Sequence, residues 1–158
     1  MLSEDSDLIR YQIKFWREKI KPTLNKALEL APADKLDWRP AEKMITLGKI
    51  FLHISECSDA WYDEVIKGKS STELALADTP CPPKEKITQY LEIHWERMER
   101  FFAEPPEVLS RTYEIEHEGK TYRLDGYWIF THLLEHDIHH RSQINQYLRI
   151  LGVTPPEI

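Results

Sequence analysis

The sequence predicts an all-α protein, a four-helix bundle with a long crossover before the last helix. Apolar residues recur at helical spacing over four long segments. Only 5 glycines stand against 10 prolines, and the prolines cluster where those segments end. The 158 residues suffice for one domain with a proper core, and no internal repeat is visible. We therefore expect a single four-helix-bundle domain over residues 1–158.

Composition and charge exclude several classes of protein. The formal net charge is -6, with 21 basic and 27 acidic residues and no dense Lys/Arg cluster, so nucleic acid is not an expected partner. The N-terminus is acidic and has no signal-peptide pattern. No apolar run approaches the roughly 20 residues of a membrane span. Cys57 and Cys81 do not form a disulfide framework. A cytoplasmic protein without membrane contact is expected.

The first predicted helix begins at a cap, Asp5 or Ser6, and runs to roughly Leu30. Its apolar positions follow the helical period, and Pro22 should kink it or mark a local break. A loop over 32–45 follows, and in it Trp38 is a large apolar side chain among polar neighbours. Two interpretations stay open for Trp38: a plug over one end of the bundle, or a pocket wall near the histidines.

The second predicted helix runs from Thr46, as its cap, to about Lys67–Gly68. His53 lies at the edge of its buried face, where a lone histidine is usually structural. A linker over 68–83 precedes a third helix from about Lys84 to Ala103. His94 on this helix is expected to be structural or exposed, with a ligand role only a minor possibility.

The crossover before the last helix contains two segments in which apolar and polar residues alternate, 112–116 and 120–124, joined through His117, Glu118 and Gly119. This pattern predicts a small β-hairpin or an extended ordered loop, with His117 solvated at its polar tip. The last helix then starts near Asp125 or Gly126.

The last helix carries four of the seven histidines and contains neither Pro nor Gly before Gly152. At about 100° per residue, one face holds eight residues. They are Ile129, His132, Leu133, His136, His140, Gln143, Tyr147 and Leu151. Because the apolar members make this the core-facing side, the histidines interrupt a buried stripe. Buried imidazoles need partners, and a single metal ion would satisfy several at once.

His136 and His140 are the strongest ligand candidates, because the i, i+4 spacing lets two imidazoles reach one ion. The alternative is a pair of core histidines bonded to other side chains. His132 is a candidate ligand, orienting group or acid/base. Gln143 could orient a ligand or a water. His132 through His136 also match the H-x-x-E-H pattern of inverted zinc peptidases, a short pattern that we consider the weaker reading.

Two histidines on one helix and a third from another would leave coordination positions for water or substrate. That is typical of catalytic sites, whereas structural zinc usually has four protein ligands. Such an ion can lower the pKa of bound water, polarise a carbonyl or bind a thiolate. Imidazole ligands suit zinc, nickel, iron(II), cobalt or copper, and the sequence does not choose among them. Cys57, one turn from His53, could ligate a soft metal, but a buried free cysteine is more often simple packing.

Four motifs in order resemble the DinB/YfiT-like superfamily. They are Leu36-Asp-Trp-Arg-Pro40, Leu47-Gly-Lys-Ile-Phe-Leu-His53, His136-Asp-Ile-His-His140-Arg-Ser-Gln-Ile and Tyr147-Leu-Arg-Ile-Leu-Gly152. The resemblance covers most of the chain and implies a four-helix bundle. It also implies a metal held by one histidine of the second helix and two of the last, here His53, His136 and His140.

The resemblance further implies a homodimer and a divalent metal, with zinc or nickel the first expectations. It implies a metal-dependent thiol S-transferase or hydrolase acting on a small-molecule substrate, with a low-molecular-weight thiol as co-substrate in the transferase case. His132 and Gln143 are then the candidates for proton handling or orientation. The alternative is a non-catalytic dimeric metal- or small-molecule-binding protein of the stress response.

Overall fold

The first part of the chain forms one long helical rod. The computed structural model describes residues 2–69 and 80–157. Helix α1 (Leu2–Phe15) passes into a π-helical segment (Trp16–Ile20) and then into α2 (Lys21–Leu30). The rod begins earlier than the predicted cap. The predicted break at Pro22 takes the form of the π segment, whose wider turn ends two residues before the proline.

Helix α3 (Leu47–Ser58) continues into a second π-helical segment (Asp59–Ile66), which completes the second predicted helix. Thr46 occupies the N-cap position, as predicted, but its hydroxyl makes no capping hydrogen bond. The hydroxyl oxygen is instead buried without a partner among the described residues. The predicted cap was therefore right in position and wrong in mechanism.

Helix α4 (Lys84–Phe102) matches the third predicted helix to within one residue. Residues 70–79 of the predicted linker lie outside the described part of the chain. The crossover after α4 contains a short helix that the sequence pattern did not predict, α5 (Pro106–Ser110).

The rest of the crossover is a β-hairpin, which decides between the two predicted alternatives. Strand β1 (Thr112–His117) pairs antiparallel with β2 (Lys120–Asp125), and His117 faces Lys120 next to the turn. Both turn residues, Glu118 and Gly119, have positive φ angles of 50° and 73°. A two-residue turn with this backbone matches the right-handed twist of the strands and closes the hairpin tightly.

Helix α6 (Gly126–Ile150) is the longest in the structure and carries four histidines. The Asp125 carboxylate accepts a hydrogen bond of 2.8 Å from the Trp128 amide and so caps the first turn. Gly152, with φ of 77°, follows the last turn, as expected for a residue that ends a helix.

The bundle forms because α3 packs against both α4 and α6, while α2 packs against the same two helices. The core lies between these four helices, and the largest fully buried side chains include Trp16, Phe51, Phe101 and Tyr147. Burial of apolar area at this scale is the main favourable term in folding. Among the described residues, no helix is both long enough and apolar enough to cross a membrane.

Candidate metal centre

The three predicted ligands come together where α3 packs against α6. The Nε2 atom of His136 lies 3.2 Å from Nε2 of His53 and 3.1 Å from Nε2 of His140. The ring centroid of His53 lies 4.9 Å from that of His136 and 5.0 Å from that of His140. Within the described part of the chain, these three side chains form a group whose ligand atoms could hold one metal ion.

Two neighbouring oxygens fix the tautomers of two of the rings. The Nδ1 atom of His140 lies 2.9 Å from Oε1 of Gln143, and Nδ1 of His53 lies 3.3 Å from Oε2 of Glu56. Since an amide oxygen and a carboxylate can only accept, each Nδ1 carries the proton and donates it. In the neutral form of each ring, Nε2 then keeps its lone pair, and both Nε2 atoms face His136.

His136 completes the group with a neutral ring. Burial, followed by the neighbouring imidazoles, lowers the pKa of His136 to about 2, so this ring carries no charge at neutral pH. Burial also lowers the pKa of His140, although its hydrogen bond to Gln143 opposes the shift. Neutral imidazoles are the form that binds metals.

The donor set fits a divalent cation better than it fits a hydrogen-bond network. A proton on Nε2 of His136 could bridge to one neighbouring lone pair and would leave the other unpaired. Nδ1 of His136 is itself buried without a partner in the described structure. In a tetrahedral zinc site, bonds of about 2.0–2.1 Å place the nitrogens about 3.3 Å apart. The observed separations of 3.1 and 3.2 Å are close to this value.

One side of the cluster opens into a cleft of about 520 Å³. Its walls come from α3, the π segment after it, and α6. The lining residues are His53, Glu56, Cys57, Ala60, Trp61, Glu64, His132 and His136. The cluster thus has three imidazoles on one side and a space of small-molecule size on the other.

His132 lies in the cleft wall and does not join the cluster. Its ring stacks on Trp128 at 4.8 Å with an interplanar angle of 11°, and it also contacts Trp61. Burial lowers the pKa of His132, so the ring is neutral and can accept a proton at neutral pH. Nε2 of His132 lies 3.9 Å from Sγ of Cys57. Burial raises the pKa of that thiol to about 12, which keeps it protonated and a poor ligand.

Two further histidines and Trp38 lie outside the cluster and the cleft lining. His139 is exposed beside His140, and His117 is exposed at the end of the hairpin. Trp38 packs edge-on against Tyr147 at 5.8 Å and does not line the cleft, so the plug interpretation describes it better than the pocket wall.

A buried acidic residue next to the cluster was not anticipated. Oδ2 of Asp137 accepts hydrogen bonds from Nε1 of Trp16 at 2.8 Å and from Nε2 of His94 at 3.0 Å. His94 is fully buried by this arrangement, which agrees with a structural role and not with exposure. The signal was present in the sequence, because Asp137 lies at helical spacing from the apolar Leu133 and Ile144.

The fold and the cluster define a helical-bundle protein with three converging imidazoles at the mouth of a cleft. The sequence profile of the DinB family matches residues 11–158, so the chain belongs to the DinB family. No curated protein matches the chain.

Two solved structures share the fold. A DinB-like protein from Bacillus cereus ATCC 10987 has 18% sequence identity and a TM-score of 0.70, over 93% of this chain and 95% of that one. A DinB-like protein from Bacillus subtilis has 20% identity and a TM-score of 0.62, over 87% and 90% of the two chains.

Proposed function

We propose that this protein is a metal-dependent enzyme whose divalent ion is held by Nε2 of His53, His136 and His140. The observation that carries the proposal is the convergence of three imidazoles, two of them with Nδ1 bonded to Gln143 and Glu56. Zinc or nickel suits such a nitrogen donor set. When bound, the ion would supply Lewis acidity toward a thiol, a water or a carbonyl.

The open side of the cluster favours catalysis over a purely structural ion. Among the described residues the group contains three possible ligands, and the Cys57 sulfur lies beside His132 and is not one of them. Structural zinc sites are usually closed by four protein ligands, whereas catalytic ones keep a position for substrate. The cleft of about 520 Å³ gives a small molecule access to that position.

His132 is the proton acceptor in this proposal. It lies in the cleft wall, neutral at physiological pH, and its ring is held by stacking on Trp128. In thiol transfer, the thiol gives its proton to His132, the sulfur bonds to an electrophilic carbon, and the leaving group departs with its electron pair. In hydrolysis a water takes the place of the thiol. Gln143 orients His140 and does not touch the substrate.

Metal content is the first test. Untagged protein, purified without added metal and analysed by elemental mass spectrometry, should hold about one ion per chain or take one up on titration with zinc or nickel. His136→Ala and His140→Ala should lose stoichiometric binding, and His53→Ala should weaken it strongly. His139→Ala is the matched control, since His139 is an exposed histidine on the same helix. Failure of the wild type to take up either metal would refute the proposal.

Activity is the second test. Metal-loaded protein should transfer a small thiol to 1-chloro-2,4-dinitrobenzene or hydrolyse an activated ester, and His132→Gln should lower kcat without lowering metal content. A metal-loaded wild type without activity toward any thiol or ester would favour the non-catalytic metal-binding alternative. The homodimer remains part of the proposal, and a monomer mass by light scattering would remove it.

A further inference from the structure

The cleft beside the histidine cluster has a chemistry of its own. One wall is aromatic: the half-buried Trp61 ring packs against Trp128 at 5.0 Å and against His132 at 5.4 Å. These contacts hold the Trp61 ring in place while it still lines the cleft. A fixed indole presents a flat apolar surface, and the negative face of its π-system attracts cations.

The other wall is acidic. Glu56, Ala60 and Glu64 follow one another at four-residue spacing and all line the cleft. The small Ala60 leaves room between the two carboxylates. One carboxylate oxygen of Glu56 accepts the hydrogen bond from His53, and the other oxygen is available to a ligand in the cleft. Glu64 is exposed and, within the described structure, makes no ion pair or hydrogen bond through its side chain.

Among the described residues, no Lys or Arg side chain lines the cleft. Lys49, the lysine of α3, lies near the Cys81 thiol instead. Burial raises the pKa of that thiol to about 11, although the Lys49 ammonium acts in the opposite direction.

We propose that this cleft selects flat, positively charged small molecules, with the cationic group beside Glu56 and Glu64 and the apolar body against Trp61. As a statement about the substrate, this rests on the proposed function, because it places an amine-bearing substrate or thiol next to the metal. Thiols that carry several carboxylates are disfavoured, since they would meet both glutamates and no Lys or Arg side chain in the described lining of the cleft.

The test uses two probes of similar shape that coordinate metals weakly. Benzyltrimethylammonium and benzylsulfonate share the aromatic ring and differ in the sign of the head group. Their dissociation constants are measured by isothermal titration calorimetry on the metal-free and the zinc-loaded protein. Benzyltrimethylammonium should bind about tenfold more tightly than benzylsulfonate, through combined cation–π and carboxylate attraction. The margin should be smaller in the zinc-loaded protein, and it should shrink in 0.5 M salt because the charges are screened.

Variants assign the preference to this cleft. Glu64→Gln should raise the dissociation constant of benzyltrimethylammonium about threefold to fivefold and lower that of benzylsulfonate. A general loss of structure could not change the two constants in opposite directions. Glu96→Gln, which alters an exposed mid-helix glutamate on α4, is the matched control and should change neither. Trp61→Leu should raise the dissociation constant of benzyltrimethylammonium about fivefold, and Trp61→Phe should keep most of the affinity.

The outcomes separate this inference from the proposed function. If the cation preference depends on Glu64 but no metal binds, the selectivity stands and the enzyme proposal fails. If one zinc binds per chain but the two probes bind equally, or Glu64→Gln shifts both in the same direction, the charge selectivity is wrong and the metal site is unaffected. With metal and activity both present, cysteamine should be a better thiol substrate than mercaptoacetate.

Discussion

The hydrogen bond from His140 to Gln143 offers a quantitative test of how the metal site is organised. Oε1 of Gln143 accepts from Nδ1 of His140 at 2.9 Å, and the His140 side chain is buried. Gln143→Leu keeps the approximate shape of the side chain and removes the acceptor. The His140 ring can then exchange tautomers, and its Nδ1–H loses its partner in a site with little access to water.

The expected loss follows from the burial of each ring. Removing the group that orients a metal-binding histidine typically costs 10–100-fold in affinity, about 1.4–2.7 kcal/mol. Water cannot easily replace Gln143, because His140 is only 9% exposed, so the loss should lie toward the upper end. The His53 side chain is 37% exposed, and its partner Glu56 can be replaced by solvent. Glu56→Leu should therefore cost less, about three- to tenfold.

Zinc affinity is measured by competition with a chromogenic chelator at pH 7.5 for wild type, Gln143→Leu and Glu56→Leu. Gln143→Glu supplies a restoring control, because a carboxylate oxygen can accept the same hydrogen bond and should return the affinity to near wild type. Wild-type affinity in Gln143→Leu would refute the argument. So would a larger loss for Glu56→Leu than for Gln143→Leu.

Three further predictions concern stability, pH and specificity of the site. Asp137→Ala should lower the free energy of unfolding of the metal-free protein by about 3 kcal/mol in urea, because Trp16 and His94 lose a shared buried acceptor. Burial lowers the pKa of His136 from 6.5 to about 2, so below pH 6.5 the unfolded chain binds a proton that the folded chain does not. The free energy of unfolding of the metal-free protein should therefore decrease as the pH is lowered below 6.5, by up to about 1.4 kcal/mol per pH unit from this group. Above pH 6.5 this group should not affect stability. Urea titrations at several pH values measure the dependence, and a flat profile below pH 6.5 would contradict the prediction. His117→Ala should leave the metal content unchanged by elemental analysis, because that side chain is 71% exposed at the hairpin end.

Helical periodicity predicted the long helices, because amphipathic patterning reports which face of an element is buried. Alternation of apolar and polar residues predicted a hairpin or an extended loop, and the structure has the hairpin. Helical periodicity did not predict the π segments at 16–20 and 59–66, because a π turn follows from tertiary packing and its residues still read as helix. The same limit applies at Thr46. Its residue type predicts a capping hydrogen bond, and only the three-dimensional surroundings of its hydroxyl determine that none forms.

The site was predictable as far as one helix determines it. The i, i+4 spacing of His136 and His140 places both side chains on one face of the helix, within reach of one ion. Their Nε2 atoms lie 3.1 Å apart in the structure. His53 required the docking of α3 on α6, which spacing alone does not specify and which the family resemblance supplied. The structure brings His53 into the group. The packing of Trp61, which lines the cleft, against Trp128 depends on the same docking, so spacing along one helix does not predict it.

Consecutive residues of α6 link the histidine cluster to the rigid core. Side chains that follow one another on a helix diverge by about 100°, so His136 faces the cleft while Asp137 turns into the bundle. There Asp137 binds Trp16 and His94. Nδ1 of His94 lies 2.8 Å from Oγ of Ser58, which ends α3 one to two turns after the ligand-bearing part of that helix.

The buried chain of hydrogen bonds therefore connects the same two helices that bring the imidazoles together. It continues from Ser58 to Arg97 of α4, whose guanidinium also binds Asp63 at 2.7 Å in the π segment. Both π segments and the helices α3, α4 and α6 are thereby joined by contacts that involve no metal. A site positioned in this way is preorganised, and its ligands need no metal to reach their places. Chelation should accordingly remove binding and activity while helicity by circular dichroism is retained, whereas a cooperative loss of helicity on chelation would mean that the ion itself holds α3 against α6.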